Sequence, residues 1–139
     1  MICMVYISSA KLGVSEREIA GIVNAAKVKN EHAGITGILL YNNGNFMQLI
    51  EGDVENVESL FDIIKQDRRH SEVTLLLKEN ITHRNFDEWR MAFKNIDSLK
   101  KMEPEILSPF LSEELDFSIY QHNPYRALTF LETFKRIIR

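Results

Sequence analysis

The sequence predicts an α+β fold in the order βαββαββ. The expected form is a mixed five-stranded sheet, with two helices on one face and C-terminal helices packing on the other. Three observations predict it. Short apolar runs of strand length recur at Ile2–Ile7, Ile35–Tyr41, Asn45–Ile50, Val73–Leu77 and Trp89–Phe93. Two intervening segments instead place their apolar residues three and four apart, the spacing of one helix face. Asn43-Gly44 joins the second and third runs, and this dipeptide is the strongest short-range signal for a tight β-turn.

Whole-chain properties set the limits. The 139 residues suit one domain, which buries about two-thirds of its unfolded surface without needing a metal or disulfide. A composition of 45% hydrophobic and 27% charged residues is ordinary for a globular protein. A net charge of −3 leaves no footprint for nucleic acid or an anionic membrane. One cysteine, Cys3, excludes an intrachain disulfide and a cysteine-rich metal site. No apolar run approaches the ~20 residues of a membrane helix. MICMVYI has no basic n-region and runs straight into a strand pattern, so it is not read as a signal peptide. The expected location is cytoplasmic.

The elements follow in order. Ile2–Ile7 is apolar on both faces and reads as a buried strand, with Ile2, Met4 and Tyr6 on one side. Residues 8–13 read as a loop. Ser15-Glu16-Arg17-Glu18 is a capping box opening the first helix, whose stripe is Ile19, Ile22, Val23 and Ala26. Four residues further lies Asn30, which is either a C-terminal cap or a polar group at the end of the core-facing stripe. The hairpin 35–52 comes next. Val54–Gln66 is the second helix, with Val57, Leu60, Phe61 and Ile64 as its stripe. Asp67-Arg68-Arg69-His70 either complements the helix dipole or marks an anion contact at a cleft edge. Val73–Leu77 forms strand four and Trp89–Phe93 strand five. Residues 96–124 hold all three prolines and read as short helical turns. Asn123-Pro124 then starts a last helix with Ala127, Leu128, Leu131, Phe134, Ile137 and Ile138 as its stripe. With two helices on one sheet face, this tail is the material available to cover the other. The whole is the ferredoxin-like arrangement with one added strand.

Gln48 is the odd residue. It sits in a strand apolar on both faces, so its amide needs partners. Leaving it unsatisfied costs about 1–3 kcal/mol. In this topology strands one and three are central neighbours. Tyr6 and Gln48 then point at the groove between the helices, with Asn30 at its rim and Ile22 and Ile64 on its walls. Either the two side chains satisfy each other in the core, or they edge a slot for a small planar ligand.

Other chemistry has little support. His32, His70, His83 and His122 lack metal-ligand spacing, no glycine-rich phosphate loop is present, and Ser8 and Ser9 have no nucleophile-elbow context. SSAKLG lacks an arginine to grip phosphate, which argues against an acylphosphatase-like hydrolase of this topology. Neither a metal site nor enzyme activity is expected.

Together these residues resemble the BLUF domain, the blue-light sensor that uses FAD. The matching features are Tyr6 with Ser8; Asn30; Gly34-Ile35-Thr36-Gly37; Phe46-Met47-Gln48 with Glu51-Gly52; Asp67-Arg68-Arg69-His70; and Trp89-Arg90-Met91. They stand in family order across residues 1–94, the expected flavin-binding domain. Residues 95–139 resemble the helical extension of short, single-domain members.

The resemblance implies roles. Tyr6 hydrogen-bonds Gln48 and donates an electron to the excited flavin. Gln48 bridges Tyr6 to the flavin N5 and O4 edge. Asn30 binds the ring at its carbonyl edge, and Ile22, Phe46 and Ile64 line the ring. Asp67, Arg69 and His70 lie toward the ribityl and phosphate end. Trp89 and Met91 relay the signal. Lys29 stands where relatives commonly carry asparagine or histidine. It has no acceptor, so it reaches a flavin carbonyl or phosphate only as a donor. The implied cofactor is FAD, with FMN or riboflavin as alternatives. The implied partners are copies of the chain in a homo-oligomer and an unidentified downstream protein. The rival expectation is a flavin-free, ferredoxin-like interaction module.

Overall fold

The computed structural model describes residues 1–11, 13, 15–42, 44–86, 92–95 and 117–137. For residues 16, 22, 23, 42, 92–95, 118 and 134–137 it describes the backbone alone. The order is β1 (Ile2–Ala10), α1 (Glu16–His32), β2 (Thr36–Asn42), β3 (Asn45–Gly52), α2 (Val54–Gln66), β4 (His70–Asn80) and β5 (Ala92–Asn95). A 3-10 helix (Phe117–Gln121) and α3 (Pro124–Ile137) follow. The five strands form one sheet in the order β4-β1-β3-β2-β5. Only β5 runs parallel to its neighbour, β2, so the sheet is mixed as expected.

Local chemistry accounts for the element ends. Ser15 Oγ accepts the Glu18 N–H at 3.2 Å and starts α1. The hairpin closes with Asn42 opposite Asn45, and Gly44 has φ 82°, which glycine adopts without strain. Asn43 lies outside the described residues. Asn123 Oδ1 accepts the Arg126 N–H ahead of α3, whose first residue is Pro124.

The sheet separates two cores. On one side Ile2, Met4, Tyr6, Ile35 and Ile50 pack against Val57 and Phe61 of α2. Each such fully buried aliphatic or aromatic side chain contributes about 1.5–3 kcal/mol. On the other, Cys3, Val5, Ile7, Met47 and Leu49 pack against Phe117, Tyr120, Ala127, Phe130 and Leu131. The C-terminal segment therefore covers the second face, as the exposed sheet required. Phe130, absent from the predicted stripe, is buried with it. The predicted stripe residues Phe134 and Ile137 have no described side chains, and Ile138 is outside the described residues.

Strand bounds are corrected, and one alternative left open by the sequence is decided. Ser8, Ser9 and Ala10 are strand, not loop: Ser8 and Ser9 pair with Phe46 and Asn45, and Ser9 and Ala10 with Ser71 and His70. Ladder partners on both sides outweigh their weak local preference. β4 correspondingly begins at His70 rather than Val73 and ends at Asn80 rather than Leu77. Asn30 is no cap, because Ala33 ends α1. β5 is described from Ala92 to Asn95, and Trp89 and Met91 lie outside the described residues.

Candidate functional site

Between the helices and the sheet lies a cavity of about 370 Å³. Tyr6, Leu39, Phe46 and Gln48 contribute from the strands, Ile19, Ala25, Ala26, Lys29 and Asn30 from α1, and Leu60, Ile63 and Ile64 from α2. Asp67, Arg69 and His70 close its outer end. That is the size and character of a small-molecule site: mostly apolar walls with a few placed polar groups. Of the predicted site residues, Tyr6, Lys29, Asn30, Phe46, Gln48, Ile64, Asp67, Arg69 and His70 meet here. The Ile22 side chain lies outside the described set.

The floor is made by strand register. Tyr6 stands opposite Gln48 across β1–β3, and Gln48 opposite Leu39 across β3–β2. The Tyr6 O–H donates a hydrogen bond to Gln48 Oε1, and both residues are buried. Burial pushes the Tyr6 pKa well above that of an ordinary phenol, and the negative charge of Asp67 pushes the same way. Tyr6 therefore remains a protonated donor at physiological pH.

Asn30 is buried and lines the cavity; its carbonyl accepts the Ile35 N–H at 2.9 Å, and its side-chain amide makes no hydrogen bond to a described residue. No described side-chain polar atom is both sealed off and unpaired, so the Asn30 amide opens onto the cavity. A flat heteroaromatic ring with a polar edge matches this set: apolar faces to pack, and an amide to bond.

The outer end is pre-bonded by the protein. Arg69 Nε donates to Asp67 Oδ1 at 2.9 Å, and Arg69 Nη2 to Oδ2 at 2.5 Å. The Arg69 hydrogen bonds hold the Asp67 carboxyl below the usual carboxylate range. His70 Nε2 donates to the Ile64 carbonyl at 2.5 Å, since a carbonyl can only accept. In the neutral ring Nδ1 then accepts from Ser8 Oγ at 3.0 Å. His70 thus presents its ring to the cavity while its nitrogens tie β1 to the end of α2.

Residues the sequence reading missed at this site are Ile19 as a wall, Ala25, Ala26, Leu39, Leu60, Ile63, and Ser8 as the partner of His70. Leu39 had a signal. A two-residue turn at 43–44 puts it opposite Gln48 by counting back along the hairpin. Ser8 stood among the family features beside Tyr6, but its pairing with His70, 62 residues away, had no signal in the sequence.

The family model for sensors of blue light using FAD matches residues 1–92. This chain belongs to that family. The alpha subunit of the photoactivated adenylate cyclase of Euglena gracilis is 35% identical over 83 residues, covering 60% of this chain and 8% of that protein. The blue light- and temperature-regulated antirepressor BluF of Escherichia coli is 29% identical over 131 residues, covering 94% of this chain and 32% of that protein. The chain thus spans less than a third of the length of these curated relatives. The dark-state structure of the BLUF protein BlrB superposes with a TM-score of 0.68 at 34% identity, covering 86% of this chain and 92% of that one. BLUF domains use FAD, and the cavity's residues suit an isoalloxazine: apolar walls at Phe46, Leu60 and Ile64, with Tyr6, Asn30 and Gln48 at polar positions.

Proposed function

We propose that this BLUF chain senses blue light with Tyr6 and Gln48 as its switch, and passes the signal on by protein–protein contacts rather than by catalysis of its own. The hydrogen bond from Tyr6 to Gln48 on the cavity floor carries the reading. A bound flavin supplies absorption of blue light and redox chemistry. The chain's own residues do the rest. Tyr6 would hold its proton until it gives an electron to the light-excited flavin, and the oxidised phenol would be strongly acidic. The proton then moves along the existing bond toward Gln48 Oε1. The Gln48 amide has an acceptor end and a donor end. Rotation changes which end of the amide meets the cavity, and imidic-acid tautomerisation changes which end donates. A stronger donor aimed at a chromophore oxygen lowers the excited state more than the ground state, and absorption moves to the red.

Lys29 and Asn30 hold the polar edge of the ring, while Phe46 and Ile64, joined by Ile22, hold its faces. Asp67, Arg69 and His70 receive the ribityl and phosphate end. Trp89 and Met91 carry the change away from the site. Residues 1–94 act as the sensor and 95–139 as the helical extension that meets a second copy of the chain and a downstream partner, in the cytoplasm. The packing of α3 residues Ala127, Phe130 and Leu131 against the β1 and β3 residues behind Tyr6 and Gln48 supports that route.

The test is spectroscopic. Purified protein shows a flavin spectrum that shifts red under blue light and recovers in the dark. Gln48→Leu binds flavin and does not shift. A normal red shift in Gln48→Leu refutes the switch. A colourless protein that cannot be reconstituted with flavin favours the interaction-module alternative.

A further inference from the structure

Glu51 is a carboxylate with no solvent exposure, three residues beyond Gln48 on β3. Alternation puts its side chain on the opposite sheet face from Gln48, about 10 Å further along the strand. Both carboxylate oxygens are used. Oε1 accepts the Phe86 N–H at 2.6 Å, and Oε2 accepts Asn85 Nδ2 at 3.1 Å. At the same rung Arg84 Nη1 donates to the Glu51 carbonyl at 3.1 Å and to Thr36 Oγ1 at 2.9 Å. Thr36 is the cross-strand partner of Glu51 on β2. Four hydrogen bonds thus fasten residues 84–86 to one rung of the sheet.

Burying a carboxylate is strongly unfavourable unless its hydrogen bonds are met. Such an arrangement holds a position more than it adds net stability. The position held is informative. Residues 84–86 are the last before the segment that leads into β5, and β5 pairs with β2 rather than with β3. Glu51 therefore supplies a direct bond from the strand carrying Gln48 to the chain entering the edge strand. β3 is laddered on both sides, so Gln48 and Glu51 are joined by ordered, extended backbone.

We infer that Glu51 is a positioning residue for the light response. It ties movement of β3 at Gln48 to the segment leading into β5, with Asn85 and the Phe86 N–H as the receiving groups. The inference rests on the blue-light reading above. Cutting the tie uncouples the segment beyond residue 86 while leaving the cavity's own response intact, because neither Glu51 nor Asn85 lines the cavity.

The chain's single tryptophan, Trp89, lies three residues past Phe86 and serves as the reporter. The experiment uses the full chain with flavin bound. It records the light-minus-dark absorbance and the acrylamide quenching of Trp89 emission in dark and light. The unsubstituted protein shows a red shift and a light-dependent change in quenching. Asn85→Ala and Glu51→Gln keep the red shift, and the quenching change shrinks by at least about two-fold, the low end of ordinary coupling effects. Asn85→Ala removes one part-buried limb, so it carries the test if Glu51→Gln does not fold. An undiminished quenching change in Asn85→Ala overturns the inference. So does a red shift in the unsubstituted protein with no change at Trp89, or loss of the red shift in Asn85→Ala with flavin bound. Absence of any red shift in the unsubstituted protein refutes the blue-light reading, and the inference with it.

Discussion

Replacing Tyr6 by Phe removes one oxygen from a residue that is 3% exposed, and changes almost no apolar area. The cost is therefore not hydrophobic. It is the donor lost to Gln48 Oε1 in a buried site, about 1–3 kcal/mol. Gln48→Leu removes the other partner and leaves the Tyr6 O–H without its acceptor, at a similar cost. The double variant removes both ends of the bond, and a pair replaced by apolar groups of like shape can be nearly neutral. The two single losses sum to about 2–6 kcal/mol, and a nearly neutral double variant falls short of that sum by about the same amount. Urea unfolding of the four proteins, followed by circular dichroism at equal flavin occupancy, measures this coupling. The cycle cancels whatever else each single change disturbs. Additivity within about 0.5 kcal/mol would show that Tyr6 and Gln48 are not energetically paired and refute the argument for the switch.

Cys3 should resist modification. Burial, helped by the charges of Glu51, Glu79 and Glu132, pushes its thiol from 9.0 up to about 12. Roughly a thousand-fold less thiolate is then present near neutral pH than in the unfolded chain. Iodoacetamide labelling that is slow in native protein and fast in urea is the expected result, and equal rates would contradict it. The same raised pKa makes stability pH-dependent. Its contribution is complete below about pH 9 and is lost as pH rises toward 12. Tyr6, also raised, acts in the same direction from about pH 10 upward. The unfolding free energy from urea titrations should fall above about pH 9, by up to about 1.4 kcal/mol per pH unit for each group. Gly37→Ala tests the floor of the cavity from the backbone side. A Cβ there would stand 1.8 Å from the Leu49 carbonyl oxygen. β2 and β3 would have to separate beside Gln48, costing at least about 3 kcal/mol, the upper end of overpacking effects. A thermal melt unchanged by the substitution would show that this strand spacing is not needed.

Much of the fold was legible because its signals are local. Asn43-Gly44 sets the hairpin, Ser15 caps α1, and the 3–4 spacing of Val57, Leu60, Phe61 and Ile64 marks α2 as it stands. β4 was less legible. Register shifts opposite Val5/Tyr6 and Ile7/Ser9 break its alternation, with Glu72 at φ 53°. Leu75 is left 42% exposed on the helix-facing side while Leu76 packs toward the α3 side. No periodicity in Val73–Leu77 announces a bulge. The site divided in the same way. Tyr6, Gln48, Asn30 and the 67–70 segment stood out as polar groups in apolar or helix-end contexts, whereas Ala25 looks like any helix surface, and Ala26 like any core-stripe residue, until a cavity exists beside them. Spacing left Asn30 open between a cap and a polar end to the stripe; α1 runs on to His32 with Ala33 as its cap, which leaves the amide on the cavity side.

By itself, the sequence determined the element types, the β2–β3 register and the family motifs, because turn chemistry and amphipathic periods act over a few residues. Only the tertiary structure decided that Tyr6 stands opposite Gln48, 42 residues away in the chain. It also decided that His70 is held between Ser8 and Ile64, that Asp67 and Arg69 hold each other, and that Glu51 is sealed beneath residues 84–86. These depend on the register of β1 between β3 and β4. A slip of one residue there would turn Tyr6 to the opposite face. That register is selected by burying Ile2, Met4 and Tyr6 under α2, and Cys3, Val5 and Ile7 under the C-terminal segment, at the same time.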